Sequence, residues 1–369
     1  MHYQFKKFKK ITPYFLLTFP LLVTFFIDSC AITKSYIITE KIGIYGENLY
    51  LTKFVQNDYM DEIIQNKGFI NDTQFATWAN KKYFHNESIV VVPNEQVSGC
   101  LSFNFSSPNQ KHMYARNFDF GQALPTIVTL TKPTKGYMYF SNTSYTVYTD
   151  KPTTTDPLLI QKLASVSTYV PLDGMNEKGL VVSMNNVNYY SGSLLVNQHY
   201  PNRVNLTMTL LFKYLLENAG TVEEAQEIIN NVNIHDDLQT SGMSQHLQIA
   251  DNLGNSAIVE FANDSNNTTQ YVYPRTNESF LVNENFPEFG IDDWSQYDNT
   301  EGKYNRYASV HNALVNNNGV LENGFVQLQS NQIGSASTWS VIYNLTDLTM
   351  EYVWSGNFER KYSFSFCGI

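Results

Sequence analysis

Gly99-Cys100-Leu101-Ser102-Phe103-Asn104-Phe105, with His112-Met113-Tyr114-Ala115-Arg116-Asn117-Phe118-Asp119 close behind it, decides how this chain folds. Leu101, Phe103 and Phe105 fall on one side and Cys100, Ser102 and Asn104 on the other, the period of two that a half-buried strand requires. Residues 106–110 read as a turn, so the second segment returns antiparallel and completes a hairpin. The return brings Arg116 and Asp119 back beside Cys100. A thiol, a guanidinium and a carboxylate meet at one end of the hairpin.

Beyond the hairpin, strands and helices come in blocks. Residues 179–186 read as a buried strand, with Leu180, Val182, Met184 and Asn186 on one parity. Leu211, Tyr214 and Leu215 form an apolar helical stripe. Thr221-Val222-Glu223-Glu224 then opens a helix through a capping box, with Ala225, Ile228, Ile229 and Val232 at helical spacing. Residues 246–251 and 256–261 pair around the turn Asn252-Leu253-Gly254-Asn255. Tyr307, Val310, His311 and Leu314 suit a helix face, and residues 339–345 and 350–354 close the chain as strands. Segregated blocks predict an α+β layered domain with largely antiparallel sheets. No repeat with a period of 20 to 50 residues stands out. Residues 31–99 are a mixed polar segment with helical cues over 54–64, and residues 132–160, rich in Thr, Tyr and Pro, are expected to form loops or short edge strands.

The 369 residues include 34 Asp and Glu against 24 Lys and Arg, a formal net charge of −10, which argues against a nucleic-acid partner. Charged residues make up 16% and aromatics 14%, with 25 Tyr and 24 Phe, a composition that excludes a disordered or collagen-like chain. Three cysteines, Cys30, Cys100 and Cys367, are too few and too scattered for a disulfide framework. No CxxC or HExxH spacing is present, so neither a metal nor another cofactor is expected. Lys6, Lys7, Lys9 and Lys10 precede an apolar run over 14–27, broken by Pro20, which reads as a leader over 1–30 directing export. The run is shorter than the roughly 20 residues a spanning helix needs. Ile27-Asp28-Ser29-Cys30 resembles a bacterial lipobox, though Asp28 is out of place in one. Lipid attachment at Cys30 with a membrane tether, cleavage near Ala31 and a retained anchor all stay open. Asn142-Thr143-Ser144 and Asn205-Leu206-Thr207 match the glycosylation sequon, but a chain rich in Asn, Ser and Thr generates such triplets by chance.

Cut between Gly99 and Cys100, the chain would begin with a complete catalytic unit. The thiol, with a free pKa near ~8.5, is the nucleophile, and the α-amine, near ~7.7 to 8.0, accepts and returns its proton. The plain alternative is a core cysteine, since free cysteine is among the most buried residue types.

Several separate motifs accompany Cys100 in order. They are Gly99-Cys100-Leu101-Ser102-Phe103, Ala115-Arg116-Asn117-Phe118-Asp119-Phe120, Leu172-Asp173-Gly174-Met175-Asn176-Glu177-Lys178-Gly179-Leu180, then Asn186 six positions on. Leu281-Val282-Asn283, Asn305-Arg306-Tyr307 and Ser337-Thr338-Trp339-Ser340-Val341-Ile342-Tyr343-Asn344 follow. Over residues 99–354 this set resembles the choloylglycine hydrolase or linear amide C–N hydrolase family, whose members include bile-salt hydrolases and penicillin V acylases. The resemblance implies an N-terminal-nucleophile hydrolase with a four-layer αββα sandwich and the nucleophile on the first strand of a central sheet. It implies that Cys100 attacks an amide carbonyl, Asp119 orients its amine, Arg116 favours the thiolate and Asn186 donates to the oxyanion, with Asn283 and Arg306 completing the polar wall. The 173–179 signature is implied as a turn in which Gly174 and Gly179 supply unusual backbone angles. Plain structural readings stand beside these roles: an Arg116–Asp119 ion pair at a strand end, Asn186 as a strand terminus, and Arg306 as a solvated charge.

Two departures matter. Leu101 stands where family members commonly carry Thr, and 99 residues precede Cys100. Activity then requires removal of the leader and of a pro-segment over 31–99, leaving a catalytic domain over 100–369, and self-cleavage by Cys100 at the Gly99 carbonyl is the expected route. The implied substrate is a small N-acyl amide with an apolar acyl group, suited to a Tyr- and Phe-rich pocket. Relatives often form tetramers, so a homo-oligomer is one outcome. Three rivals remain: an acyltransferase passing the acyl group to an amine, a papain-like enzyme pairing Cys100 with His246 or His311, and a non-enzymatic exported surface binder.

Overall fold

The computed structural model describes residues 36–43, 48–56, 59–92, 99–120, 124–188, 196–235, 243–263, 268–273, 279–288, 291, 293–333 and 337–366. The leader, the lipobox-like stretch with Cys30, Ser98 and Cys367 lie outside them. The chain begins with strands β1 (Tyr36–Lys41) and β2 (Leu49–Gln56), helices α1 (Met60–Gln65) and α2 (Asp72–Tyr83), and the hairpin β3 (Gly99–Ser106) and β4 (His112–Asp119). It continues through β5 (Thr126–Pro133), β6 (Tyr139–Ser144), α3 (Pro157–Ser167), β7 (Asp173–Asn176), β8 (Val181–Asn188), β9 (Asn205–Thr207), α4 (Met208–Asn218), α5 (Val222–Asn231) and β10 (Asn233–His235). The last third holds β11 (Met243–Ala250), β12 (Ser256–Asn263), β13 (Thr268–Tyr273), β14 (Val282–Asn283), α6 (Asn305–Asn316), α7 (Gly324–Ser330), β15 (Ser337–Asn344), β16 (Thr349–Trp354) and β17 (Tyr362–Ser365).

Among the described residues two large sheets form, one in the order β1-β2-β5-β6-β7-β8-β11-β12-β13 and one in the order β14-β3-β4-β15-β16-β17. Both are antiparallel except where β2 runs parallel to β5. Helices α3 and α4 pack on the first sheet, α6 and α7 on the second, and β3 meets β8 where the sheets face each other. This is the four-layer αββα stack that the sequence motifs implied. The alternation of β3 places its two faces in different cores: Leu101, Phe103 and Phe105 pack with Tyr307, Val310, Leu314 and Phe325 beneath α6 and α7, while Cys100 joins Phe118, Met184 and Trp339 between the sheets. Local caps agree with this layout. The Thr221 side chain accepts from the Glu224 N–H at 3.2 Å to open α5, and the Asp156 side chain accepts from the Leu158 N–H ahead of α3, whose first residue is Pro157.

Three sequence expectations change. Residues 54–64 are not one helix: Phe54 is buried inside β2, and α1 starts only at Met60. Residues 132–160 are not merely loops or edges, because β6 is buried along its whole length between β5 and β7. Its polar side chains hid this. Asn142 Nδ2 donates to Asp173 Oδ1 at 2.6 Å and Ser144 Oγ to the Pro125 carbonyl at 2.6 Å, so polar residues sit inside without an apolar period. The 173–179 signature is strand β7 followed by a turn, and of its two glycines only Gly179 has a positive φ, +79°. Gly174 matters for space instead: a Cβ there would stand 2.4 Å from the Phe140 carbonyl oxygen and 2.8 Å from Leu216 Cδ1. Gly174→Ala is expected to destabilise the fold by ~2 kcal/mol or more, read as a lower denaturation midpoint at unchanged m-value.

The segment before Cys100 is built into the same body. Leu49 and Leu51 of β2 lie in the main core. The Tyr59 N–H donates to Tyr169 Oη at 2.9 Å, and Trp78 packs edge-on against the Tyr169 ring, their centroids 5.1 Å apart. Among the described residues no helix is long and apolar enough to cross a membrane.

Candidate active site

Cys100 lies opposite Phe118 in the β3–β4 ladder, with Gly99 opposite Asp119. The thiol is 2% exposed. Its nearest charge is Arg116 of β4, whose Nη2 is 3.5 Å from Sγ. That guanidinium is wholly buried: Nη1 donates to the Leu172 carbonyl and faces Asp173 Oδ2 at 3.3 Å, Nη2 also donates to the Met184 carbonyl, and Nε has no hydrogen-bond partner among the described residues. Asp173 in turn accepts from Trp339 Nε1 at 2.9 Å, from Tyr343 Oη and from Asn142. The carboxylate is satisfied on every side and holds Arg116 against the sulfur.

Arg116 and Asp119 do not pair with each other. Asp119 Oδ2 binds Arg306 Nη2 of α6 at 2.7 Å, and Ser337 Oγ of β15 donates to Oδ1. Arg306 is not a solvated charge: its side chain is 12% exposed, donates from Nε to the Asn331 carbonyl at 3.0 Å and faces Glu284 Oε1 at 3.7 Å. The spacing of Arg116 and Asp119 within the hairpin therefore serves two separate networks.

The Cys100 nitrogen donates to Asn285 Oδ1 at 2.6 Å, and Asn285 Nδ2 donates to the Asn186 carbonyl at 2.6 Å. Asn285 thus ties the nucleophile residue to the end of β8. Asn283, the asparagine singled out from the sequence, lies on β14 opposite Ser102. Its amide is fully buried, with neither atom hydrogen-bonded among the described residues. The structure brings together Cys100, Arg116, Asp119, Arg306 and the backbone of Asn186; at the Cys100 nitrogen it brings Asn285 rather than Asn283. Neither histidine named from the sequence faces the thiol: both ring nitrogens of His246 meet Glu260 and the Glu284 carbonyl, and His311 stacks on Tyr307. Among the described residues no group of three or more His, Cys, Asp or Glu is placed to hold a metal ion.

The family model described as linear amide C–N hydrolases, choloylglycine hydrolase family, matches residues 100–322, more than half of the chain and starting at Cys100 itself. The chain belongs to this family. Two crystal structures of mutants of the conjugated bile acid hydrolase from Clostridium perfringens align with 72% of this chain and 92% of their own, at 17% and 16% identity and TM-scores of 0.50 and 0.51. Penicillin V acylase from Agrobacterium tumefaciens aligns over 72% of this chain and 86% of its own, at 18% identity and a TM-score of 0.47. No curated protein matches the chain. The fold is that of the N-terminal-nucleophile hydrolases, and the chain is a hydrolase of linear amides.

The electrostatics of this family member follow from its burial. Burial pushes the Cys100 thiol above its ordinary value, and Arg116 pulls it back toward the thiolate. Burial also holds Asp119 above the usual carboxylate range against the pull of Arg306, and Glu284 likewise. A raised carboxyl pKa means that protonation starts at a higher pH, so the Asp119–Arg306 pair is lost earlier on acidification than an exposed pair would be. The acid limb of activity is expected above the ordinary carboxylate value of ~4; Asp119→Asn should remove that limb in a pH–rate profile.

Sequence reasoning missed Asn285, Asp173 and Ser337 as site residues. Asn285 carried a signal, since it shares parity with Asn283 two positions on, but only the end of β14 at Asn283 shows that the chain is free to turn toward Cys100 after it. Asp173 was visible inside the signature and read as turn chemistry.

Proposed function

We propose that this protein hydrolyses the linear amide bond of small N-acyl compounds, using Cys100 as nucleophile after self-cleavage of the Gly99–Cys100 bond. The observation that carries this reading is that both ends of one residue are held for chemistry: Sγ by Arg116 and the nitrogen by Asn285. In the uncut chain a Cβ on Gly99 would stand 2.4 Å from Ile333 Cδ1, 3.2 Å from Arg306 Nη1 and 3.7 Å from Asn285 Oδ1, so Gly99 sits close against both an apolar side chain and two polar groups of the site. Cys100 sulfur attacks the Gly99 carbonyl, the C–N bond breaks as the nitrogen takes the thiol proton, and water hydrolyses the resulting thioester. The freed α-amine keeps Asn285 as its acceptor. It then takes the thiol proton as the sulfur attacks substrate, and returns a proton to the leaving amine.

Asn285, rather than Asn283, is proposed as the residue that orients the amine, and Asn186 as the oxyanion donor. Asn285→Ala is expected to lower kcat by ~10²-fold, because a misplaced base slows proton transfer. Asn283→Ala should leave kcat near wild type, and a larger loss there than in Asn285→Ala would return the role to Asn283. We also propose that the protein is exported through its N-terminal leader, and that the piece before Cys100 stays bound after cleavage through β2 and its parallel neighbour β5. Mass spectrometry of the secreted protein, before and after denaturation, tests both.

The substrate class is tested with a panel of N-acyl amides and product analysis with and without added amine. Release of free acid and amine is expected. Acyl transfer to the added amine in preference to water would make the protein an acyltransferase instead.

A further inference from the structure

Three neighbouring strands of the first sheet each present one polar side chain to the backbone of residues 283–288, the stretch that carries Asn285. Asn185 of β8 donates from Nδ2 to the Asn283 carbonyl at 3.0 Å. His246 of β11 meets the Glu284 carbonyl through Nε2 at 2.7 Å, and Glu260 Oε1 of β12 accepts the Glu288 N–H at 2.8 Å. Asn185 and His246 are directly opposite in the ladder, and His246 Nδ1 is 2.8 Å from the same Glu260 oxygen. The row is therefore continuous and buried.

A carbonyl oxygen only accepts, so Nε2 of His246 carries a hydrogen. Nδ1 lies 2.8 Å from the Glu260 carboxyl oxygen, a hydrogen-bond distance, so one hydrogen sits between these two atoms. While that proton is held, both bonds stand and the Glu284 carbonyl is fixed from behind. The next residue is Asn285, bonded to the Cys100 nitrogen.

We propose that His246, oriented by Glu260, is a positioning residue for the nucleophile: it fixes the Glu284 carbonyl and, through it, the Asn285 side chain that aligns the amine of Cys100. This rests on the hydrolase reading of Cys100. His246 touches neither thiol nor amine. The charged groups around it are Glu260 from β12, Glu288 and Glu284 from the 283–288 stretch, and Arg306 from α6, which faces the Glu284 carboxyl.

Two substitutions separate the bonds. Gln at 246 places an amide nitrogen where Nε2 stands and keeps the donor to Glu284; Asn reaches only the Nδ1 position and keeps the contact with Glu260. His246→Gln is expected to hold kcat within about threefold of wild type, and His246→Asn to lose ~10- to 100-fold in kcat with KM nearly unchanged. Alkylation of Cys100 by iodoacetamide needs no substrate and should follow the same order, because it reads the thiolate that an aligned ammonium stabilises. A wild type that alkylates at Cys100 yet cleaves no N-acyl amide defeats the hydrolase reading, and the alkylation order still decides the role of His246. Equal rates in both variants, whether at the wild-type level or equally reduced, overturn the proposal. Should His246→Asn fail to fold, Glu260→Gln reads the same device with His246 intact. Its alkylation rate is expected to fall ~10-fold below wild type, because Nδ1 of His246 loses the carboxylate that orients the ring, and a rate equal to wild type overturns the proposal.

Discussion

Cys100→Ala is expected to leave the chain whole across residues 99 and 100 and to reduce amide hydrolysis by at least ~10⁴-fold. The two losses have one cause, since the same sulfur opens the precursor and attacks the substrate. The fold should survive. Cys100 is one small buried side chain at the head of β3, and the hairpin ladder, the Arg116–Asp173 pair and the Asp119–Arg306 pair do not depend on its sulfur. Loss of activity with a near-wild-type melting temperature is the expected pattern, measured by thermal unfolding beside intact mass and turnover. A Cys100→Ala protein that still cleaved itself would place the nucleophile elsewhere.

Arg116→Met should damage stability and rate together, and the two can be pulled apart. Both side chains of the Arg116–Asp173 pair are wholly buried. Removing the cation leaves a carboxylate in a dry interior, which costs ~3–5 kcal/mol, a fall of about 10 °C in melting temperature for a protein of this size. Removing the positive charge 3.5 Å from the sulfur also raises the thiol pKa, and the rate near neutral pH should drop by ~10²-fold, with the pH–rate profile displaced to the alkaline side. Asp173→Asn in the Arg116→Met background takes away the orphaned charge. It is expected to recover much of the lost stability and none of the lost rate. Recovery of both would make Arg116 a structural residue only.

The hairpin was legible in the sequence because its chemistry and its periodicity coincide. Leu101, Phe103 and Phe105 alternate against a polar face, and the turn at 106–110 leaves one register in which Arg116 returns to Cys100. Helix α5 was equally clear from Thr221 and the apolar spacing behind it. What stayed hidden was hidden by buried polar residues. Strand β6 carries Ser141, Asn142, Thr143 and Ser144 in the interior, and no apolar pattern marks a strand whose polar groups find partners inside. Asp173 looked like a turn residue because its partners Arg116, Trp339 and Tyr343 come from two strands of the other sheet. Asn285 lies beyond a two-residue strand, and only the folded chain shows which of the nearby asparagines reaches the Cys100 nitrogen. The segment before Cys100 shows the effect of distance: its strand β2 pairs with β5, 77 residues further along the chain, a parallel contact that no local pattern announces.

The most direct measurement is the intact mass of the purified active protein under denaturing conditions. Two pieces are predicted, one of them beginning at Cys100, with all turnover belonging to protein cut at that bond. A single unbroken chain across Gly99–Cys100 that hydrolyses amides at full rate would contradict the account.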